Sequence, residues 1–381
     1  MKTEASPPVI EVYNSVDGAA FFQRLLAEWR ASGSEVTSFR AISESAYRMR
    51  RGALGRIALR GRMYAGYAWT CWRAARAGRT RDPIRVVATN PFFAPALIER
   101  AAGGRGATIN LLYDLFPEAL VQAGTLKADA WAARRCAAIT RYALRECAAS
   151  VFLGERLRAY AEATYGPARR AVVIPVGADG TPFRDAPPAR TSSGTRPRIL
   201  YSGQMGRMHD TATLAAMLAE PAPIGVAWTF HASGAGYAAL RRTIGARAGV
   251  RWGEALADDA WQRAMREAEV ALVTIAPGAE RVVMPSKTYS ALVAGQAVLA
   301  VCPRESDLAD LIGRHDCGWV VAPGDVVGLR RALADIAGNA EGLWAKRLRA
   351  YEAGHQLYDM GPVAARWRSL FAELADRNHS P

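Results

Sequence analysis

Residues 277–301 read PGAERVVMPSKTYSALVAGQAVLAV. An irregular start rich in Pro and Gly runs into Met284-Pro285-Ser286-Lys287. The spacing then predicts a helix over 288–294, a stop at Gly295 and a buried strand over 297–301. Ser286 is the expected N-cap, its hydroxyl accepting from the open amides of the first turn. A helix that starts this way offers unpaired N–H groups and a positive dipole end, and Lys287 adds a full charge beside them. The expected guest is a phosphate group. Of the 49 Lys plus Arg residues only Lys2, Lys127, Lys287 and Lys346 are lysine. Two explanations for Lys287 stand side by side. Either the site needs a compact ammonium where a planar guanidinium does not fit, or the lysine survived by chance as three others did.

Outward from this stretch, the chain alternates strands and helices. Towards the N-terminus the apolar runs predict strands over 9–12, 35–39, 84–88, 107–113, 150–153 and 171–175. Helical periodicity falls at 19–31, 94–102, 127–147 and from 155 onward. A second series follows, with strands over 199–202, 227–231, 250–252, 270–275, 297–301 and 319–321. Alternation of this kind predicts parallel, doubly wound sheets. The segment 181–198, rich in Pro, Gly, Ser and Thr, is the expected linker. It separates a domain over 1–180 from one over 199–381, whose last helix is expected to pack back on the first domain. The fold class is α/β, with two Rossmann-like domains facing across a cleft. In such sheets ligands bind at the carboxyl ends of strands, so the loops there are the positions to inspect.

With 381 residues, 50% hydrophobic and 22% charged, the chain has the composition of a folded two-domain protein. No apolar run approaches the roughly 20 residues that cross a bilayer, and the first residues lack the layout of a secretion signal. A cytoplasmic location follows. The five cysteines are scattered without a CxxC, which argues against a disulfide framework or a zinc site. No Asp-x-Asp sequence or histidine pair at ligand spacing implies a metal, so neither metal nor cofactor is expected.

A formal net charge of +14 calls for an anionic partner. Residues 40–81 carry Arg48, Arg50, Arg51, Arg56, Arg60, Arg62, Arg73, Arg76 and Arg79, with Met63, Tyr64, Tyr67, Trp69 and Trp72 between them. Arginine with interfacial aromatics suits an anionic membrane surface, here the inner face of the cell membrane. The plainer alternative is a solvated arginine face over a core-facing stripe. No nucleic-acid reader motif is present, and nucleic acid is not an expected partner.

The order of motifs in the second half carries a resemblance. Tyr201-Ser202-Gly203-Gln204-Met205-Gly206-Arg207 is followed by His231-Ala232-Ser233-Gly234-Ala235-Gly236. Then come Met284-Pro285-Ser286-Lys287, Ala294-Gly295 and Cys317-Gly318-Trp319-Val320-Val321-Ala322-Pro323-Gly324-Asp325. Together they resemble the sugar-nucleotide half of the family-four glycosyltransferases of GT-B fold, in particular the exopolysaccharide and colanic-acid-like subgroup with a PSK signature. Thr89-Asn90-Pro91 and Asp114-Leu115-Phe116-Pro117-Glu118 sit where that subgroup has similar stretches. One departure stands out. Many members of the wider family place two glutamates eight positions apart, where this chain has Val282 and Ser290, with Glu280 close to the first place.

The resemblance implies transfer of a sugar, with retention and without a metal, from a nucleotide-diphosphate sugar to a lipid-linked or polysaccharide-precursor acceptor. Gly203, Gln204, Arg207, His231, Glu280, Pro285, Ser286, Lys287, Thr288 and Ser290 are then the donor-side candidates. Lys287 and Arg207, with backbone amides after Gly203 and at 286–288, would stabilise charge on the leaving diphosphate. Arg207 as an ordinary surface arginine, and His209 and His231 as structural histidines, are the plainer readings. On the acceptor side, Asn90 and Asp114 follow strands, and Asp114 is placed to orient or deprotonate a hydroxyl. A turn cap before Pro117 is its alternative role. Two rival functions remain on the sequence: a nucleotide-sugar epimerase of the same fold, and a non-catalytic homologue that binds a nucleotide sugar or a partner, motivated by Val282 and Ser290.

Overall fold

The structure is a computed structural model that describes residues 8–16, 20–43, 53–77, 82–190, 194–220 and 225–378. The chain divides into two units, Met1–Pro175 with Met360–Pro381, and Val176–Asp359.

The first unit holds a six-stranded parallel sheet made of β1 (Val9–Tyr13), β2 (Glu35–Phe39), β3 (Ile84–Ala88), β4 (Ala107–Leu111), β5 (Ala149–Phe152) and β6 (Ala171–Val173), in the order β2-β1-β3-β4-β5-β6. β3 and β4 are buried at every position. A strand covered on both faces favours a near-continuous apolar run, as in IRVVA, while ATINL buries Thr108 and Asn110 between its apolar residues, Asn110 donating to Ser150 Oγ at 3.3 Å. Arg85 interrupts the run without breaking it. Register sets it opposite Glu11, and its Nε lies 3.4 Å from that carboxylate. Tyr13 donates to the same carboxylate at 2.8 Å, so the buried charge is paired and solvated by protein.

The helix Met360–Asn378 closes this unit. Val363, Trp367, Leu370, Phe371 and Leu374 share a core with Ile10, Val12 and Trp29. Trp29 meets Trp367 and Phe371 edge-on, with centroids 5.4 and 5.1 Å apart. Its Nε1 has no hydrogen-bond partner, so its contribution is apolar packing. Trp29→Ala is therefore expected to cost about 3–5 kcal/mol through lost contact and the cavity left behind. Urea unfolding of the intact chain measures this, as a lower midpoint for the first unit.

The second unit holds β7 (Arg198–Gln204), β8 (Ala227–Ser233), β9 (Val250–Gly253), β10 (Val270–Thr274), β11 (Ala297–Val301) and β12 (Gly318–Val321). The order β12-β11-β10-β7-β8-β9 is that of a doubly wound dinucleotide-type sheet. Ser306, Asp325 and Asn339 cap the first three helices after β11, each accepting from the amide three residues on.

The division of the chain falls before the segment expected to be the linker. Residues 181–190 are held by the second unit instead. Asp359 accepts from Gly180 N at 2.9 Å and from Arg184 at 2.7 Å, and Arg347 donates to Ala189 O at 2.7 Å. Composition signalled a loop there, and long-range polar contacts made it part of a domain.

Candidate functional site

β7 is the strand from which the second sheet winds in both directions, with β8 on one side and β10 on the other. Loops leaving adjacent carboxyl ends at such a point part from each other and leave a crevice. The two loops are tied by a bond from Ala276 N to Met208 O at 2.9 Å. The helix Lys287–Val293 starts where the second loop ends. Its first residue sends Nζ to 2.5 Å from the Tyr201 hydroxyl and 3.4 Å from Gln204 O. Nζ also stands 3.8 Å over the Tyr201 ring centroid and 3.4 Å from His209 Nε2.

Each neighbour of that ammonium is itself fixed. Tyr201 spends its proton on Gln204 O at 2.8 Å, which leaves its oxygen as an acceptor for Lys287. Gly206 N donates to His209 Nδ1 at 3.1 Å. With Nδ1 accepting, a neutral ring carries its proton on Nε2, the nitrogen facing Lys287. Among the described residues no carboxylate lies within ion-pairing distance of Nζ. Burial without a counter-charge lowers the Lys287 pKa to about 7. Burial and the nearby Lys287 charge lower that of His209 to about 4. The cluster is thus a buried amine and imidazole with no anion beside them.

Other expected donor-side residues distribute unevenly. Gly203 lies inside β7, one residue beyond the expected strand end, with φ +108. A Cβ there would meet no atom within 4 Å, so the backbone turn demands glycine and the space beside it is open. Gln204 contributes its carbonyl to Lys287, and Arg207 is exposed on the following loop. The backbone clamp after Gly203 needs correction. Met205 N is committed to Ser233 O and Gly206 N to His209, so neither is open to a ligand.

Ser286 also departs from expectation. It has helical φ and ψ and its side chain caps nothing, because the turn begins one residue earlier, with Thr288 N donating to Pro285 O at 3.1 Å. Thr288 is fully buried with its hydroxyl unpartnered, which removes that side chain from the exposed cluster. Ser290 and Pro285 are half-buried, and Val282 belongs to the core. Glu280 sits on the 3-10 turn Ala279–Arg281, with Oε1 3.4 Å from Arg281 and Oε2 buried without a partner. His231 is not brought to Lys287. Its Nδ1 lies 3.2 Å from Glu254 O, and its ring lines a separate cavity of about 360 Å³ with Leu200, Trp228 and Ala264.

In the first unit the sheet reverses direction at β1, flanked by β2 and β3. Asn90 follows β3, and its carbonyl accepts from Ser15 N at 3.3 Å, joining the loops after β1 and β3. Asp114 lies just beyond β4, held through its backbone by Thr89, whose hydroxyl donates to Asp114 O at 3.1 Å. Among the described residues no cation pairs with its half-buried carboxylate, and desolvation raises its pKa to about 6. That places a carboxylate at the carboxyl edge of each sheet, Asp114 in one and Glu280 in the other.

Tyr201 was absent from the sequence-derived candidates, although it opens the quoted motif of the second half. Its ring reads as an apolar strand residue, and only the fold shows the hydroxyl under Lys287. Among the described residues no three His, Cys, Asp or Glu side chains gather as a metal site.

Comparison with known proteins agrees with this geometry. No family model matches the chain. A probable glycosyltransferase of Pseudomonas aeruginosa, WbjE, is 23% identical over 313 residues, which is 78% of this chain and 76% of that protein. Among solved structures, sucrose-phosphate synthase from Thermosynechococcus elongatus superposes with a TM-score of 0.75 at 15% identity, covering 97% of this chain and 100% of its own. HepE from Anabaena, solved with UDP and glucose, gives 0.68 at 14% identity over 96% and 100%. WaaG, a glycosyltransferase of lipopolysaccharide biosynthesis, gives 0.64 at 14% over 95% and 99%. The chain has the GT-B fold, and over most of its length it is similar to glycosyltransferases.

Proposed function

We propose that this chain is a glycosyltransferase that takes a sugar from a nucleotide-diphosphate donor. The observation that carries the reading is the position of Lys287, a lysine with no carboxylate partner among the described residues, at the switch point of the second sheet, where a doubly wound fold receives a nucleotide. Similarity to a probable glycosyltransferase and to HepE, solved with UDP, supports the same class of ligand. In this reading the diphosphate lies against Lys287 and His209, with Arg207 on the exposed side. Charge that grows on the leaving phosphate is met by the ammonium, and the step is metal-independent. Gly203 leaves the backbone bare beside the ligand, and Glu280 takes sugar hydroxyls in place of the absent glutamate pair.

The acceptor is a lipid-linked or polysaccharide-precursor glycan, with Asp114 and Asn90 on the acceptor side and retention at the anomeric carbon. Residues 53–76 are continuously helical, and Met63, Tyr67, Cys71 and Ala75 form the buried stripe. Trp69, Arg62, Arg73 and Arg76 are exposed across the helix from that stripe and Arg60 and Tyr64 are exposed beside it, which supports docking on anionic headgroups. Arg48, Arg50, Arg51 and Arg79 of the expected basic segment lie outside the described residues. Arg62→Gln with Arg73→Gln is expected to weaken binding to phosphatidylserine-containing vesicles by about 2 kcal/mol, roughly thirtyfold. Sedimentation with vesicles of graded anionic content reads the change.

The function itself is tested by incubating UDP-, GDP- and dTDP-sugars with the protein and a membrane extract as acceptor source, with and without EDTA. Release of one nucleoside diphosphate with transfer of its sugar, unchanged by EDTA, is the expected result. A bound nucleotide without turnover would favour the binding-protein alternative, which the buried Val282 and the serine at 290 suggest. Failure to bind any nucleotide would sink both.

A further inference from the structure

We infer that binding of the diphosphate is coupled to uptake of a proton from solvent by the Lys287–His209 pair, so that the unliganded site rests with Lys287 largely as the neutral amine above neutral pH. The inference rests on the proposed ligand class and adds a property of the site that class does not imply.

The geometry supplies the coupling. Nζ has three polar neighbours among the described residues: a hydroxyl whose proton points elsewhere, a carbonyl at the long distance of 3.4 Å, and His209 Nε2. The Gly206 amide holds the imidazole in the tautomer whose Nε2–H faces Lys287. A charged ammonium and this N–H then present hydrogens to each other across 3.4 Å. A neutral amine resolves the conflict, because its lone pair accepts the Nε2 proton. An anion resolves it differently, since one phosphate oxygen can accept from both nitrogens at once. The empty site therefore favours Lys–NH2 and the filled site Lys–NH3+. The balanced step is Lys–NH2 plus a solvent proton giving Lys–NH3+, paired with the phosphate oxygen.

Groups on the neighbouring elements do not undo this. On the loop after β7, Arg207 adds positive charge, and Asp210 is committed to Thr213 through both carboxylate oxygens. Glu280 and Arg281 pair with each other on the preceding turn. On the elements packed against the Lys287–Val293 helix, Arg347 bonds Gly295 O, Cys302 Sγ accepts from Ser306, His355 bonds Val293 O and Tyr358 bonds His315. Burial lowers the Lys287 pKa to about 7, in the direction the geometry requires.

The sign is fixed by linkage. A proton taken up on binding makes affinity fall as pH rises above the unliganded pKa, by about tenfold per pH unit. The phosphates of UDP are fully ionised at about pH 8, so they contribute no proton change of their own there.

Because the chain has four lysines, the pair can be watched directly. Protein labelled with ε-13C lysine is titrated by NMR without and with saturating UDP, and Lys287→Arg identifies the Lys287 resonance by its loss. The expected result is a Lys287 midpoint near pH 7 in the free protein, moving to about pH 9 or higher with UDP. His209→Asn, which keeps an acceptor for Gly206 N and removes the Nε2–H, is expected to raise the free midpoint. Identical Lys287 midpoints with and without UDP, in a protein that binds UDP, would overturn the inference and leave the proposed function standing. Failure to bind UDP or the GDP and dTDP alternatives would overturn both.

Discussion

Lys287→Ala is expected to lower turnover of the nucleotide-sugar donor by about 10²–10³, the usual cost of removing one preorganised stabiliser of developing charge. The side chain spans the switch-point crevice, from the helix after β10 to the Tyr201 hydroxyl on β7. Its removal leaves His209 and Arg207 to meet a doubly charged diphosphate. The fold should not suffer. Lys287 is a polar group desolvated without a counter-ion, so losing it removes a desolvation cost along with the Tyr201 contact. A melting temperature within a few degrees of wild type, with a collapsed kcat/KM, separates this outcome from misfolding. Equal losses in stability and turnover would count against a functional role.

For Asp114→Asn the expected effects run in opposite directions. Turnover should fall by about 10²–10⁴, the range for a lost general base. Stability at pH 8 should rise. The folded pKa of about 6 lies above the unfolded value of about 3.9, so burial favours the protonated form. Its contribution is most favourable at low pH and is lost as pH rises through 6. Asparagine mimics the protonated shape at every pH, and the gain above pH 6 should reach at most about 3 kcal/mol, vanishing near pH 4. A residue kept at a cost to stability is the signature of a functional constraint. The same two groups give wild-type kcat/KM a bell shape, with an acidic limb near pH 6 from Asp114 and an alkaline limb near pH 7 from Lys287. Asp114→Asn should erase the acidic limb. Its persistence would assign that limb, and the base, elsewhere.

The twelve strands of the described residues were legible in the sequence, the inner ones because strands buried on both faces appear as bare apolar runs such as VALVT and AVLAV. Ends were less legible. β7 continues through Gly203 because its partner β8 extends to Ser233, a pairing that no local pattern announces. The expected break over 181–198 failed for a similar reason, since Asp359 and Arg347 reach it from more than 150 residues away. Lys287 stood out in the sequence by its spacing and rarity. Its partners did not, because Tyr201 and His209 meet it only through the parallel pairing of β7 with β10. The serine cap was misjudged, since Pro285 starts the turn one residue early and takes the bond that Ser286 would have capped.

The central claim is that the diphosphate of a nucleotide rests on Lys287 at the switch point of the second sheet. A crystal structure of the protein with UDP tests it most directly. The account predicts a phosphate oxygen within hydrogen-bond distance of both Lys287 Nζ and His209 Nε2, beside the open face of Gly203. A diphosphate bound elsewhere, such as in the cavity lined by His231, with the Lys287–Tyr201 contact unchanged, would contradict it.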